Sequence, residues 1–133
     1  MDETVNMKMR HTEENILQEV GHRPWGKYEV LLDTNNTKVK RITVQSRQRL
    51  SYQYHHKRQE QWTVVDGTLT VVLDGIHIKR ESGESISIPL GAKHRAWNQT
   101  DSDVVFIEVQ TGTYFGEDDI VRLDDDYNRI KNC

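Results

Sequence analysis

The chain has 133 residues, with 18 basic and 21 acidic side chains and a formal charge of −3. That is room for one domain around one hydrophobic core, and it implies neither a nucleic-acid-binding surface nor a strongly anionic shell. A single cysteine, Cys133, allows no intramolecular disulfide framework, and no run approaches the roughly twenty apolar residues of a membrane span. Residues 1–10 alternate charge with single apolar side chains, unlike an export signal. The expectation is a cytoplasmic protein with no nucleic-acid or membrane partner.

Residues 1–22 read as a polar N-terminal extension, either flexible or folded into one or two helical turns after Thr12, and residues 23–133 as one domain. From Arg23 onward the pattern is period two, which predicts strands over 28–32, 38–44, 50–54, 61–65, 68–73, 76–78, 85–88 and 104–109. Asp66-Gly67 and Asp74-Gly75 fall between apolar runs, where glycine supplies the positive φ of a tight turn. Many short strands at this spacing predict a sandwich or barrel. Residues 117–123 place Glu117, Asp118 and Asp119 before Arg122, the charge order a helix dipole favours, and predict a short C-terminal helix.

Chemistry concentrates in two segments. In Gln53-Tyr54-His55 the first and third side chains share a strand face. Residues 83–98 read as a strand and tight turn that deliver His94. If Glu60 returns to the same face on the next strand, Gln53, His55, Glu60 and His94 converge as a nitrogen-and-oxygen cage for a divalent metal ion. That donor set suits Zn first, with Mn, Co, Ni or Fe as alternatives. His56 alternates away from His55, and His11, His22 and His77 carry no motif. Trp25, Trp62 and Trp97 are expected in the core or a cavity wall, with one of them available to stack on a sugar.

Residues 83–98 have the spacing G-x5-P-x-G-x2-H-x3-N, which resembles the second cupin motif in full. His55, Glu60 and Gly67 resemble the first cupin motif, except that Lys57 stands where a second histidine is usual. Arg23-Pro24-Trp25-Gly26, Gln53-x-His55-His56, Glu60-x-Trp62-x-Val64-Val65-x-Gly67-Thr68, His94-Arg95 and the run from Ile107 to Arg122 are together similar to type II phosphomannose isomerase. In that family the domain is commonly the C-terminal half of a bifunctional enzyme. The resemblance here covers about residues 23–129 and is read as standalone, without the guanylyltransferase half.

The resemblance implies an all-β cupin double-stranded β-helix, or jelly-roll barrel, with a short C-terminal helix, and the sheet edges of such a fold lead to the expectation of a homodimer. It implies a metal-dependent aldose–ketose isomerase that interconverts mannose 6-phosphate and fructose 6-phosphate in mannose and GDP-mannose metabolism. Gln53, His55, Glu60 and His94 are then the ligands of the divalent metal ion. Glu60, Arg95 and Lys57 are the expected catalytic groups, with the proton-transfer base left open among Glu60, His56, Lys57 and other polar residues, Arg95 as the best planar fork for the phosphate and Lys40, Arg41, Arg58 and Arg122 as weaker candidates. Lys57 is either a solvated lysine or a cation that binds phosphate or stabilises the enediolate. Two alternatives stand beside this: another sugar-phosphate or nucleotide-sugar isomerase or epimerase, or a non-catalytic sugar-binding cupin that partners a separate guanylyltransferase.

Overall fold

The computed structural model describes residues 19–127 and 129. The helical turns considered for residues 12–20 fall almost wholly outside the described residues. Strand β1, Val20–Arg23, runs across the boundary drawn at residue 22. It pairs with β2, Gly26–Asp33, which pairs in turn with β3, Thr37–Val44. Chain order then gives β4 (Tyr52–His55), β5 (Arg58–Asp66), β6 (Leu69–Leu73), β7 (Ile76–Arg80), β8 (Ser85–Ile88), β9 (His94–Trp97), β10 (Val104–Gly112) and β11 (Ile120–Asp124).

These strands form two antiparallel sheets, one in the order β1-β2-β3-β10-β5-β8 and the other β11-β4-β9-β6-β7. This is the double-stranded β-helix that the sequence led one to expect. Burial follows the alternation of the pleat. On β5, Arg58, Glu60, Trp62 and Val64 point inward while Gln59 and Gln61 are exposed. On the neighbouring β10, Phe106, Glu108 and Gln110 lie opposite Val64, Trp62 and Glu60 and are buried on the same face. The core is a block of Trp62, Phe106, Leu69, Val71, Ile88 and neighbours, with the Trp62 and Phe106 rings 4.8 Å apart. It fills one end of the barrel, and the other end holds polar side chains.

Asp74-Gly75 forms the two-residue hairpin between β6 and β7, with φ of 47° and 82°. Both lie in the left-handed region that a tight primed turn requires. Asp66-Gly67 instead turns the chain from one sheet to the other, since β5 and β6 belong to different sheets.

The helix expected over 117–123 is reduced to one 3₁₀ turn, Glu117–Asp119, followed by strand β11. Ile120–Asp124 pairs with the otherwise free edge of β4. Interstrand hydrogen bonds and an inward-facing Ile120 outweigh the charge order that favours a helix. Asp119 anchors the turn by accepting the backbone N–H groups of His56 and Lys57 at 3.2 and 3.0 Å.

Candidate metal centre and cavity

Two sheets contribute to the polar end. Gln53 and His55 project from β4, and Gln53 lies opposite His94 of β9. Glu60 reaches across from β5. His55, Glu60 and His94 are all buried, and one donor atom from each lies within 4.8 Å of the others. The sequence expectation placed these groups on one cage, and the fold brings them together. Gln53 stands beside them on the same face, its Oε1 accepting the Ser51 hydroxyl at 2.9 Å.

Each side chain is held in place by a neighbour. His94 Nδ1 donates to the Ala92 carbonyl at 2.9 Å, which leaves Nε2 as the lone-pair nitrogen of the neutral ring. That Nε2 is buried without a hydrogen-bond partner and sits 3.8 Å from Glu60 Oε1. The Trp62 indole N–H donates to Glu60 Oε1 at 2.9 Å, and the Trp62 ring packs edge-on to His94. His55 Nε2 lies 3.2 Å from Glu60 Oε2. An orphaned buried imidazole nitrogen aimed at an ionised carboxylate, with a second imidazole beside it, fits a divalent ion.

Arg58 is the unexpected member. Its Nε donates to Glu60 Oε2 at 3.1 Å, and its Nη2 is 3.3 Å from His55 Nε2. A third bond runs from Nη1 to the Phe115 carbonyl at 3.2 Å. The guanidinium therefore engages the same donor atoms that would hold a metal.

The electrostatics divide two buried carboxyls. Burial pushes Glu60 up, but the His55 and His94 imidazoles beside it outweigh that and hold Glu60 well below the usual carboxylate range. Burial and the adjacent Glu60 charge push Glu108 up to about 8. Burial lowers His94, partly opposed by Glu60. At neutral pH the arrangement is thus an ionised Glu60, a neutral His94 and a protonated Glu108.

Beside this cluster opens a cavity of about 60 Å³. Five cations reach its wall, Arg23, Lys40, Arg58, Arg122 and Arg129, against two carboxyl groups, Glu108 and Glu117. Trp25 and Gln53 also line it, so Trp25 is the tryptophan placed to meet a ligand, whereas Trp97 packs against His77 and Arg49 elsewhere.

Three expected groups lie outside the cavity, the first being Arg41, which is exposed with its Nε 3.8 Å from Glu29. Arg95 follows His94 on a strand, so the pleat sends it to the opposite face; it donates to the Leu50 carbonyl at 2.9 Å and to Asp124 at 3.2 Å. Lys57 is exposed, with its ammonium 5.2 Å from the Tyr114 ring centre. Glu108 on the cavity wall and the fully buried Gln110 behind it were left unassigned by the sequence reading. Gln110 Nε2 donates to Glu108 Oε2 at 2.7 Å. A glutamate and a glutamine in phase with the apolar Val104 and Phe106 were the available signal.

The family model described as "Mannose-6-phosphate isomerase C-terminal" matches residues 9–125. The chain belongs to this family. Among curated relatives, it is 44% identical over 128 residues to a mannose-1-phosphate guanylyltransferase of Escherichia coli K12, covering 96% of the chain and 26% of the relative. It is also 44% identical over 108 residues to the alginate biosynthesis protein AlgA of Pseudomonas aeruginosa, covering 81% of the chain and 22% of that protein. The chain thus spans about a quarter of the length of these relatives. Among solved structures, an RmlC-like cupin from Shewanella frigidimarina superposes with a TM-score of 0.65 at 20% identity, over 76% of this chain and 87% of that one. The capsular polysaccharide assembling protein CapF of Staphylococcus aureus gives 0.72 at 19% identity, over 80% and 34% of the respective chains. Both show the cupin fold. No helix among the described residues is long and apolar enough to cross a membrane.

Proposed function

We propose that this chain is a metal-dependent aldose–ketose isomerase that interconverts mannose 6-phosphate and fructose 6-phosphate. The observation that carries the reading is the buried His55, Glu60 and His94 group, with its orphaned His94 Nε2, next to a cationic cavity that its neighbours Gln53 and Arg58 line. Family membership supports it independently.

In this reading His55, Glu60 and His94 hold a divalent ion, with Gln53 as a fourth ligand once its oxygen leaves Ser51. Such an ion supplies Lewis-acid stabilisation of the negative charge that develops as the sugar carbonyl shifts between C1 and C2. The protein's own groups do the rest. Ala92 fixes the His94 tautomer and Trp62 orients Glu60. Lys40, Arg58 and Arg122 make the cavity attractive to an anion. The Glu108 carboxyl, buried on the wall and held by Gln110, is the base of this reading: its ionised form, a minority at neutral pH with a pKa pushed up to about 8, takes the proton from C2 and returns it to C1. A homodimer joined through a free sheet edge belongs to the same reading, and sedimentation of the purified protein checks it.

A second reading has its own support. Arg58 bonded across His55 and Glu60, together with relatives named as guanylyltransferases, fits a sugar-phosphate-binding domain that serves such a transferase without turnover of its own. One experiment separates the two. The purified chain is stripped with a chelator, reloaded separately with Zn, Mn, Co and Ni, and assayed for conversion of mannose 6-phosphate. Turnover restored by an ion supports the isomerase; a folded, metal-loaded protein without turnover supports the binding domain.

A further inference from the structure

The metal cluster leaves open what grips the far end of a phosphorylated sugar, a question that rests on the isomerase reading above. In the five-stranded sheet Arg122 of β11 lies opposite Gln53 of β4, and Gln53 lies opposite His94 of β9. Residues directly opposite one another in antiparallel strands project from the same face. Arg122, Gln53 and His94 therefore form one row across the sheet. Strands stand about 4.8 Å apart, so the ends of the row are separated by about 10 Å at the α-carbons. An extended hexose 6-phosphate covers about 8 Å from C1 to phosphorus, counting about 1.5 Å per bond and allowing for the zigzag. A sugar with its carbonyl at His94 therefore has its phosphate near Arg122.

Three further observations meet at that end. Arg122 Nε is buried without a hydrogen-bond partner, although Arg122 lines the cavity. Lys40, whose side chain is 8% exposed, enters from the facing sheet. Between the cations lies Glu117 on the 3₁₀ turn, with its Oε2 3.7 Å from Lys40 Nζ and 4.0 Å from Arg58 Nη1. The cavity of about 60 Å³ is well below the roughly 300–1,000 Å³ of a pocket that encloses a small ligand.

We propose that Lys40, Arg58 and Arg122 form a phosphate-binding subsite, and that the Glu117 carboxylate fills it in the free protein as a stand-in for the substrate phosphate. Glu117 is half exposed, so it can swing into water at little cost. A dianionic phosphate outcompetes a single carboxylate for three cations, while a neutral hexose does not. The subsite thereby selects phosphorylated sugars and enlarges the cavity only when one arrives.

The test titrates inorganic phosphate calorimetrically into the full chain, wild type beside Glu117→Gln, Arg122→Gln and the distant surface variant Arg47→Gln. Glu117→Gln is expected to tighten phosphate binding several-fold. Arg122→Gln is expected to weaken it about tenfold, the weight of one charge-assisted hydrogen bond. Arg47→Gln is expected to match wild type, and Zn binding measured by chelator competition is expected to be unchanged in Glu117→Gln. Phosphate affinity that ignores both Glu117 and Arg122, or no phosphate binding by wild type and Glu117→Gln alike, overturns the subsite. Assays with mannose 6-phosphate separate this from the isomerase reading. Turnover with an unaltered KM in Arg122→Gln removes the subsite and keeps the isomerase. Phosphate responses as predicted, with no turnover under any ion, keep the subsite and remove the isomerase.

Discussion

Arg58→Met should make the protein bind divalent metal more tightly, because the wild-type guanidinium competes for the ligands. The Arg58 side chain is 3% exposed and bonds Glu60 Oε2 at 3.1 Å and His55 Nε2 at 3.3 Å. A metal ion taking those atoms must release one hydrogen bond to a charged group, worth about 1.5–3 kcal/mol, and one to a neutral group, worth about 1. The sum is about 3 kcal/mol, which corresponds to about 100-fold in dissociation constant. Methionine keeps the buried stem and removes the competition. The metal-free variant should also lose about 3 kcal/mol of stability, since a buried carboxylate is left without its cation. Zn should then restore more stability to the variant than it adds to wild type, by the usual linkage of binding to folding. Competition against a chromophoric chelator gives the affinity, and thermal melts with and without Zn give the linkage. An equal or weaker Zn affinity in Arg58→Met would refute the competition argument.

Three other perturbations follow from the structure. Asn98 is fully buried; its Nδ2 donates to the Val44 and Ser102 carbonyls at 2.9 and 2.7 Å, and its Oδ1 accepts the Thr100 N–H and hydroxyl. Asn98→Ala strands several of these groups and should cost about 3 kcal/mol in urea unfolding; a loss below about 1 kcal/mol would contradict the satisfied-network reading. Burial opposes the charge of Asp125, but the bonds from the Arg129 side chain and backbone hold it below the usual aspartate range. The folded protein therefore binds this proton less readily than the unfolded chain, and the stability is present above about pH 4 and lost as pH falls through the folded value. Asp125→Asn should lower the melting temperature at pH 7 and flatten its decline on acidification, whereas an unchanged acid limb would exclude Asp125 as a contributor. Trp62→Phe keeps a ring against Phe106 and His94 but removes the donor to Glu60. It should weaken Zn binding about tenfold, in line with the loss of a partner that orients a ligand, and wild-type affinity would show that Glu60 needs no such orientation.

Most of the barrel was legible because period-two alternation survives in strands with one buried face. β3, β5, β8 and β10 carry it in their burial, whereas β6 is buried almost throughout and was read from its apolar run. β1 was missed because Val20–Arg23 offers only four residues with no buried side chain. β11 was misread because its charge order mimics a helix start, while the reason for its strand conformation is the edge of β4, about seventy residues earlier in the chain. The convergence of His55, Glu60 and His94 was legible for a related reason: His55 and His94 sit in spaced motifs, and Glu60 shares the inward phase of Trp62 and Val64. The ranking of the cationic groups was not: Lys40, Arg58 and Arg122 were named behind Arg95, yet they are the ones that line the cavity. Arg95 adjoins His94, and adjacency on a strand separates two side chains to opposite faces. Arg122 reaches the cavity only through the register β11-β4-β9, which no local pattern reveals. Arg58 follows the same phase as Glu60, so the alternation that placed the ligand also placed its competitor.

The most direct test of the central claim is the formation of fructose 6-phosphate from mannose 6-phosphate by metal-loaded wild type beside His94→Ala, at matched folded fraction. Ready turnover in wild type that disappears with the His94 imidazole is the result predicted. Wild type without turnover under any of the four ions, or turnover that persists undiminished in His94→Ala, would contradict the account.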